Sequence, residues 1–161
     1  IADATAQEVA AAKALKASPG SGQAKADLKS ARATLASAQG ELATALAALN
    51  AQDPQAVQAA EKAVGLSPND LNAIQSLATI AIAQGQAQAA LNALSKYTAQ
   101  HPKDAQAFLL WGQVAEQGGQ LPQAILAYQQ FVQLAPNDTL APDVRQHLKD
   151  LAKQQAKTGT G

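Results

Sequence analysis

Residue types that could support catalysis or metal binding are sparse in this chain of 161 residues. It contains no Cys, and its two His residues are His101 and His147. Protein zinc sites need three or four Cys, His or carboxylate ligands, and no third nitrogen or sulfur ligand accompanies this pair. We therefore interpret both His residues as solvated side chains and predict no metal site.

Three Asp residues recur in similar contexts, as Asp70 ends SPND, Asp104 ends HPKD and Asp138 ends APND. Carboxylates can serve as general acids or bases. Each of these, however, follows a Pro by two positions, where Asp can cap a helix by accepting a bond from a free backbone N–H group. Capping accounts for all three carboxylates, and we predict no catalytic residue and no enzyme activity.

The composition also restricts the ligands and partners. The stretches PGSG and QGG lack the Lys and Ser/Thr of a phosphate-binding loop, so no cofactor is expected. Twelve basic and twelve acidic residues cancel, which argues against a nucleic-acid partner. No apolar run approaches the roughly 18 to 20 residues that cross a bilayer, and we expect no direct membrane insertion. The start at Ile1 without any Met indicates a fragment or a processed product.

A fixed spacing organises the elements that carry these residues. The prolines before the three Asp residues, Pro68, Pro102 and Pro136, are equally spaced, since 102 − 68 = 34 and 136 − 102 = 34. A second break lies inside each period, at Gly85 in one and at Gly118 in the next. The pattern predicts pairs of helices of about 14 residues joined by short turns.

A period of about 34 residues divided into two helices resembles the tetratricopeptide repeat. The last unit carries the small and large residues of that family's pattern at Phe108, Trp111, Gly112, Ala115, Ala124, Tyr128 and Pro136. The middle unit keeps the residue sizes without the aromatic rings, at Ile74, Leu77, Ala78, Ala81, Ala90, Leu94 and Pro102. The first unit keeps only Ala56 and Pro68 firmly and is interpreted as degenerate.

This resemblance implies an all-α fold, a right-handed superhelical solenoid of about three helix-turn-helix units. We expect a helical extension at 1–36, repeats at 37–138, a capping helix at 139–156 and a flexible tail at 157–161. The repeat units are expected at 37–70, 71–104 and 105–138. Because the last unit holds most of the aromatic residues, we interpret Trp111, Phe108 and Tyr128 as core and expect stability to increase toward the C-terminus.

The N-terminal part has a different pattern. From 23 to 50, Leu residues recur every seven positions with Ala residues midway between them, which is typical of a coiled-coil seam. The Leu residues of this seam are Leu28, Leu35, Leu42 and Leu49. An intrachain hairpin with the preceding helical stretch and an oligomerising arm both fit this pattern, so self-association remains an open alternative.

The resemblance further implies a protein-interaction module that binds a protein or peptide in a concave groove. Groove candidates are residues on the first helix of each unit that do not match packing positions. They are Asn72, Gln75, Thr79 and Ile82 in the middle unit, and Gln106, Leu109, Gln113 and Glu116 in the last. No Lys or Arg occurs in either helix, which excludes the basic clamp of some family members and predicts a weakly charged ligand segment.

The alternative function is a structural or oligomerising component that assembles through the Leu/Ala seam. A coiled coil followed by such repeats resembles bacterial envelope proteins that coordinate cell-wall assembly with outer-membrane constriction. The polar layers of their trimeric seam are missing here. The compartment is left open between the bacterial cytoplasm and an anchored or periplasmic position, with an extracytoplasmic location favoured.

Overall fold

The computed structural model describes residues 1–158, and within that range it consists of eight α-helices without a strand. The expected all-α fold is confirmed. Residues 159–161 of the expected tail lie outside the described range. No helix of the described range is both long and apolar enough to cross a membrane. The helices are α1 (Ala2–Ala17), α2 (Gly22–Leu49), α3 (Pro54–Leu66), α4 (Leu71–Ala83), α5 (Ala87–Gln100), α6 (Ala105–Gln117), α7 (Leu121–Leu134) and α8 (Ala141–Thr158).

The helices begin where the recurring Asp residues predict. Asp70 Oδ1 accepts the N–H of Asn72 at 3.0 Å and caps α4. Asp104 Oδ1 caps α6 in the same way at 3.1 Å, and Asp138 Oδ1 accepts a backbone N–H at 2.9 Å just before α8. The bonds of Asp70 and Asp104 satisfy donors that the first turn of a helix leaves free, so their interpretation as caps is confirmed. Asp138 instead bonds to Leu140 in the turn before α8, so it does not cap the first turn of that helix.

Two turns require glycine. Gly85 follows α4 with a φ of 68°, and Gly119 follows α6 with a φ of 72°. Residues with a Cβ rarely adopt this left-handed conformation, whereas glycine does so without steric cost. These two residues therefore permit the backbone conformation that follows the end of each helix.

The first compact unit, Ile1–Gln84, contains α1 to α4. α1 packs along α2 as an intrachain hairpin, with Ala4 and Ala31 buried and an ion pair of 3.2 Å between Arg32 Nε and Glu8 Oε1. α2 packs in turn against α3 through alanines, of which Ala43 and Ala56 are fully buried. α2 is continuous, so the boundary expected between residues 36 and 37 falls inside it.

The second compact unit begins at Gly85 and contains α5 to α8. Gly112 lets α6 and α7 come close, because a Cβ at this position would lie 2.5 Å from Cδ1 of Tyr128. Tyr128 and Phe131 are buried between the helices. Trp111 and Phe108 stack with ring centroids 6.3 Å apart but stay half-buried, so the interpretation of the aromatic cluster as core applies only partly to them.

Candidate functional site

A cavity of about 220 Å³ lies between α6, α7 and α8 in the second unit. We call it the α6–α8 groove. It is lined by Leu109 and Gln113 of α6, Tyr128 of α7, Asp143, Val144 and His147 of α8, and Leu140 just before α8. The groove thus combines two of the predicted candidates with residues of the capping helix.

The floor of the groove is apolar. Leu109 is 8% exposed and therefore forms a buried base, and Val144 beside it is half-buried. Leu140 stands at the edge with 45% of its surface exposed. An apolar cavity with a small number of polar groups at its border is the usual form of a binding pocket.

A hydrogen-bonded cluster lies beside this floor and ties α6 to α8. The hydroxyl of Tyr128 donates to Glu116 Oε2 at 2.9 Å, and His147 Nε2 lies 2.8 Å from the same oxygen. A carboxylate only accepts, so His147 donates from Nε2. The Tyr128 and His147 rings meet edge to face, with centroids 5.6 Å apart.

The cluster also affects the ionisation of Tyr128. Burial, the hydrogen bond to Glu116 and the negative charge of Glu116 all raise the pKa of the Tyr128 phenol well above its usual range. Even an unperturbed phenol, with a pKa of about 10, is protonated at physiological pH, so Tyr128 is a donor there and Glu116 receives two donors. This carboxylate contributes its charge to the groove in a fixed position.

His147 is exposed, as expected of a solvated side chain, but its imidazole also bonds to Glu116, which the sequence did not predict. His101 differs as well, since it is half-buried with its ring centroid 4.4 Å from that of Tyr97. The two contacts have different origins. His147 contacts a residue of another helix, whereas His101 contacts Tyr97, which lies one turn before it at the end of α5. Neither residue belongs to a cluster of three potential metal ligands within the described residues.

The predicted candidates of the last unit lie together on α6. Leu109 and Gln113 line the groove, and Glu116 borders it through His147. Gln106 is exposed, and its side-chain amide donates to Asp138 Oδ2 at 3.4 Å. The sequence pattern placed these four side chains on α6 but did not predict that they lie beside α8 and the turn before it.

The predicted candidates of the middle unit lie on α4, in the first compact unit. Asn72, Gln75 and Thr79 are exposed, and Ile82 is half-buried. Asn72 borders a separate cavity of about 270 Å³ that also includes Ser76. The eight candidates are therefore divided between the two units, and of the four on α6, Leu109 and Gln113 line the α6–α8 groove.

Sequence reasoning missed the residues that α8 and the turn before it contribute. Asp143 follows Leu109, and His147 follows Gln113, at the interval of the repeat, since 143 − 109 = 34 and 147 − 113 = 34. Leu140 follows Gln106 by the same interval, 140 − 106 = 34. The capping helix therefore repeats the register of α6, and extending the period by one step past Asp138 would have found these positions.

A comparison with protein families matches residues 76–139 to the tetratricopeptide repeat. This part of the chain is therefore similar to tetratricopeptide repeats. The match begins within α4 and ends just before α8, so it includes α6 and α7 of the groove. No curated protein matches the chain. Tetratricopeptide repeats generally mediate protein–protein interaction and are a non-catalytic scaffold that binds proteins or peptides.

Proposed function

We propose that the α6–α8 groove binds a weakly charged segment of a partner protein. The observation that carries this proposal is the shared cavity of Leu109, Gln113 and Val144, which joins an apolar floor to a side-chain amide. An apolar side chain of the segment would displace water from the floor. The Gln113 amide both donates and accepts, so it can bond to the backbone of the segment.

The charges around the groove favour a segment without many charges. Asp143 is the carboxylate in its lining, and Glu116 already accepts bonds from Tyr128 and His147. No Lys or Arg lines the cavity. An acidic ligand would meet carboxylates without a compensating cation, whereas a neutral segment meets an amide and apolar side chains. The predicted candidates on α4, namely Asn72, Gln75, Thr79 and Ile82, stay proposed groove residues of the first unit, separate from the α6–α8 groove.

Selection from a displayed peptide library, followed by calorimetry on the selected peptides, tests this proposal. Gln113→Arg places a long cationic side chain in the groove, and we expect it to weaken binding at least about tenfold, a loss of roughly 1.4 kcal/mol. Gln117→Arg is the matched control, because Gln117 is exposed on the same helix outside the groove lining. Equal loss in both variants, with unchanged melting, would place the binding surface elsewhere.

A second candidate function is self-association through the Leu/Ala seam of α2. α1 has 16 residues and α2 has 28, or about 24 Å against about 42 Å at 1.5 Å per residue, so α1 cannot cover all of α2. Leu35 is buried, whereas Leu42 is 36% and Leu49 is 86% exposed. The uncovered part of the seam favours a structural role in which a second copy of α2 packs on these leucines.

Sedimentation equilibrium distinguishes the second candidate from the first. Self-association predicts a dimer or larger species that dissociates in the variant Leu42→Glu with Leu49→Glu. Both side chains are exposed, so the variant should keep its helical content by circular dichroism. A chain that stays monomeric at every concentration tested would eliminate this function and leave the groove proposal untouched.

A further inference from the structure

The first unit contains a larger cleft that the groove proposal does not involve. It has a volume of about 390 Å³ and lies between α1, α2 and the turn from α3 to α4. We call it the α1–α2 cleft. Leu15, Leu28 and Leu66 contribute apolar side chains to it, and all three are half-buried. Ligand pockets commonly have volumes of about 300–1,000 Å³ and mostly apolar linings, so this cleft is large enough to hold a ligand segment.

Cationic side chains of α2 border the same cleft. Lys25, Lys29 and Arg32 all line it and all are exposed. Arg32 pairs with Glu8, but side-chain exposures of 50% and 20% make this a weak and screened contact. Lys25 and Lys29 form no ion pair within residues 1–158. Two cations are therefore available at an apolar cleft.

The opposing charges are fewer. Asp70 lines the opposite side of the cleft, where its carboxylate accepts the N–H of Asn72 and caps α4. Its negative charge is partly offset by the positive end of the α4 dipole. Three cations against this capped carboxylate and Glu8 leave the border of the cleft positive, in contrast to the α6–α8 groove, whose lining has no Lys or Arg.

The spacing of the cations indicates the shape of the ligand. Lys25 and Lys29 are one turn apart, which corresponds to about 6 Å along the helix axis. One carboxylate cannot pair fully with both. In an extended segment, side chains two residues apart lie on the same side at about 6.6 Å, so two carboxylates at that interval match the two lysines.

We propose that the α1–α2 cleft binds an extended acidic segment of a partner protein. Two carboxylates, two residues apart, pair with Lys25 and Lys29 of α2. The apolar side chain between them faces the opposite wall, which includes Leu66 at the end of α3. This second binding surface differs from the α6–α8 groove in its unit, its charge and the class of segment that it selects.

Fluorescence anisotropy with the full chain and a short labelled peptide of alternating Asp and Leu tests the proposal. We expect saturable binding that weakens as ionic strength rises to about 0.2 M, because the lysine–carboxylate contacts are exposed and screened. A peptide of alternating Asn and Leu, which keeps the apolar side chains without the charges, should bind at least about fivefold more weakly.

Paired lysine variants locate the site. Lys25→Gln with Lys29→Gln should weaken binding of the Asp/Leu peptide about fivefold or more. The matched control, Lys13→Gln with Lys16→Gln, removes the same charge from exposed lysines of α1 that do not line the cleft, and it should bind within about twofold of the wild type. All four side chains are exposed, so neither variant should alter the melting temperature.

Three results would overturn the proposal. Equal weakening in both lysine variants would assign the binding to diffuse charge on the hairpin. Equal binding of the Asp/Leu and Asn/Leu peptides would remove the role of the carboxylates. Binding of phosphatidylglycerol vesicles without binding of the Asp/Leu peptide would show that the lysines meet a lipid surface rather than a protein segment.

Discussion

The α2–α3 and α6–α7 pairs bring two helices together by different means. In the α2–α3 pair the fully buried contacts are alanines, including Ala43 and Ala56. In the α6–α7 pair Gly112 makes room for the ring of Tyr128, and Phe131 is fully buried. Small residues permit close approach in both pairs, but only the second gains the transfer free energy of large rings. Close packing and extensive apolar burial are therefore separable properties of a helix pair.

The two pairs also differ in the charge that they present. α2 carries Lys25, Lys29 and Arg32 along one cleft, whereas α6 has no Lys or Arg and lines its groove with Leu109 and Gln113. Charge near a binding surface determines which segments approach and which are rejected. Although the net charge of the chain is zero, the α1–α2 cleft and the α6–α8 groove differ in their local charge.

The largest expected difference between the pairs comes from deleting side chains. Phe131→Ala should lower the free energy of unfolding by about 3–5 kcal/mol, because it removes a fully buried ring and leaves a cavity. Ala56→Gly in the α2–α3 pair should cost only about 1–2 kcal/mol, since it removes one methyl group and frees the backbone. Urea unfolding followed by circular dichroism measures both. Comparable losses would contradict the contrast in burial.

Replacing two helical glycines by alanine should change the stability of the chain in opposite directions. Gly112→Ala places a methyl group 2.5 Å from the ring of Tyr128 and should cost about 1–3 kcal/mol. Gly40→Ala in α2 meets no atom within 4 Å and should stabilise the chain by about 0.5–1 kcal/mol. Thermal melting of both variants measures the signs. A stabilised Gly112→Ala variant would mean that the close approach of α6 and α7 is not required.

A pH-dependent effect concerns the hydrogen bond of Tyr128. Tyr128→Phe should cost about 1–2 kcal/mol at pH 7, because it removes a bond to the charged Glu116. Burial and Glu116 raise the pKa of Tyr128 in the folded state, so this contribution is complete below the unfolded value of about 10 and declines above it. Urea unfolding at pH 9 and at pH 11 should show the variant about 1 kcal/mol closer to the wild type at the higher pH. The same difference in unfolding free energy at both pH values would indicate that folding does not raise the pKa of Tyr128.

The sequence predicts the helix starts because each signal is local. Pro followed two residues later by Asp acts on the next turn of the chain, and Asp70 and Asp104 indeed cap α4 and α6. The bond between His147 and Glu116 has no local signal, because the two residues are on different helices and 147 − 116 = 31 positions apart. Their meeting depends on how α8 packs, which the spacing of apolar residues leaves undetermined.

The lining of the α6–α8 groove was partly predictable, because part of it follows the repeat spacing. Leu109 and Gln113 follow from the repeat register of α6, and their partners Asp143 and His147 occupy the same register one period later. The α1–α2 cleft had no such signal. Its lysines on α2 are far in the sequence from Leu66, and only the packing of α3 against α2 brings them to one cavity.

Amide chemical-shift mapping with a peptide selected on the full chain tests the central claim most directly. If the α6–α8 groove binds the segment, the largest shifts should occur at Leu109, Gln113, Val144 and His147, and Gln113→Arg should strongly reduce them at the same peptide concentration. Shifts confined to α1 and α2, or shifts that persist undiminished in Gln113→Arg, would contradict the assignment of function to this groove.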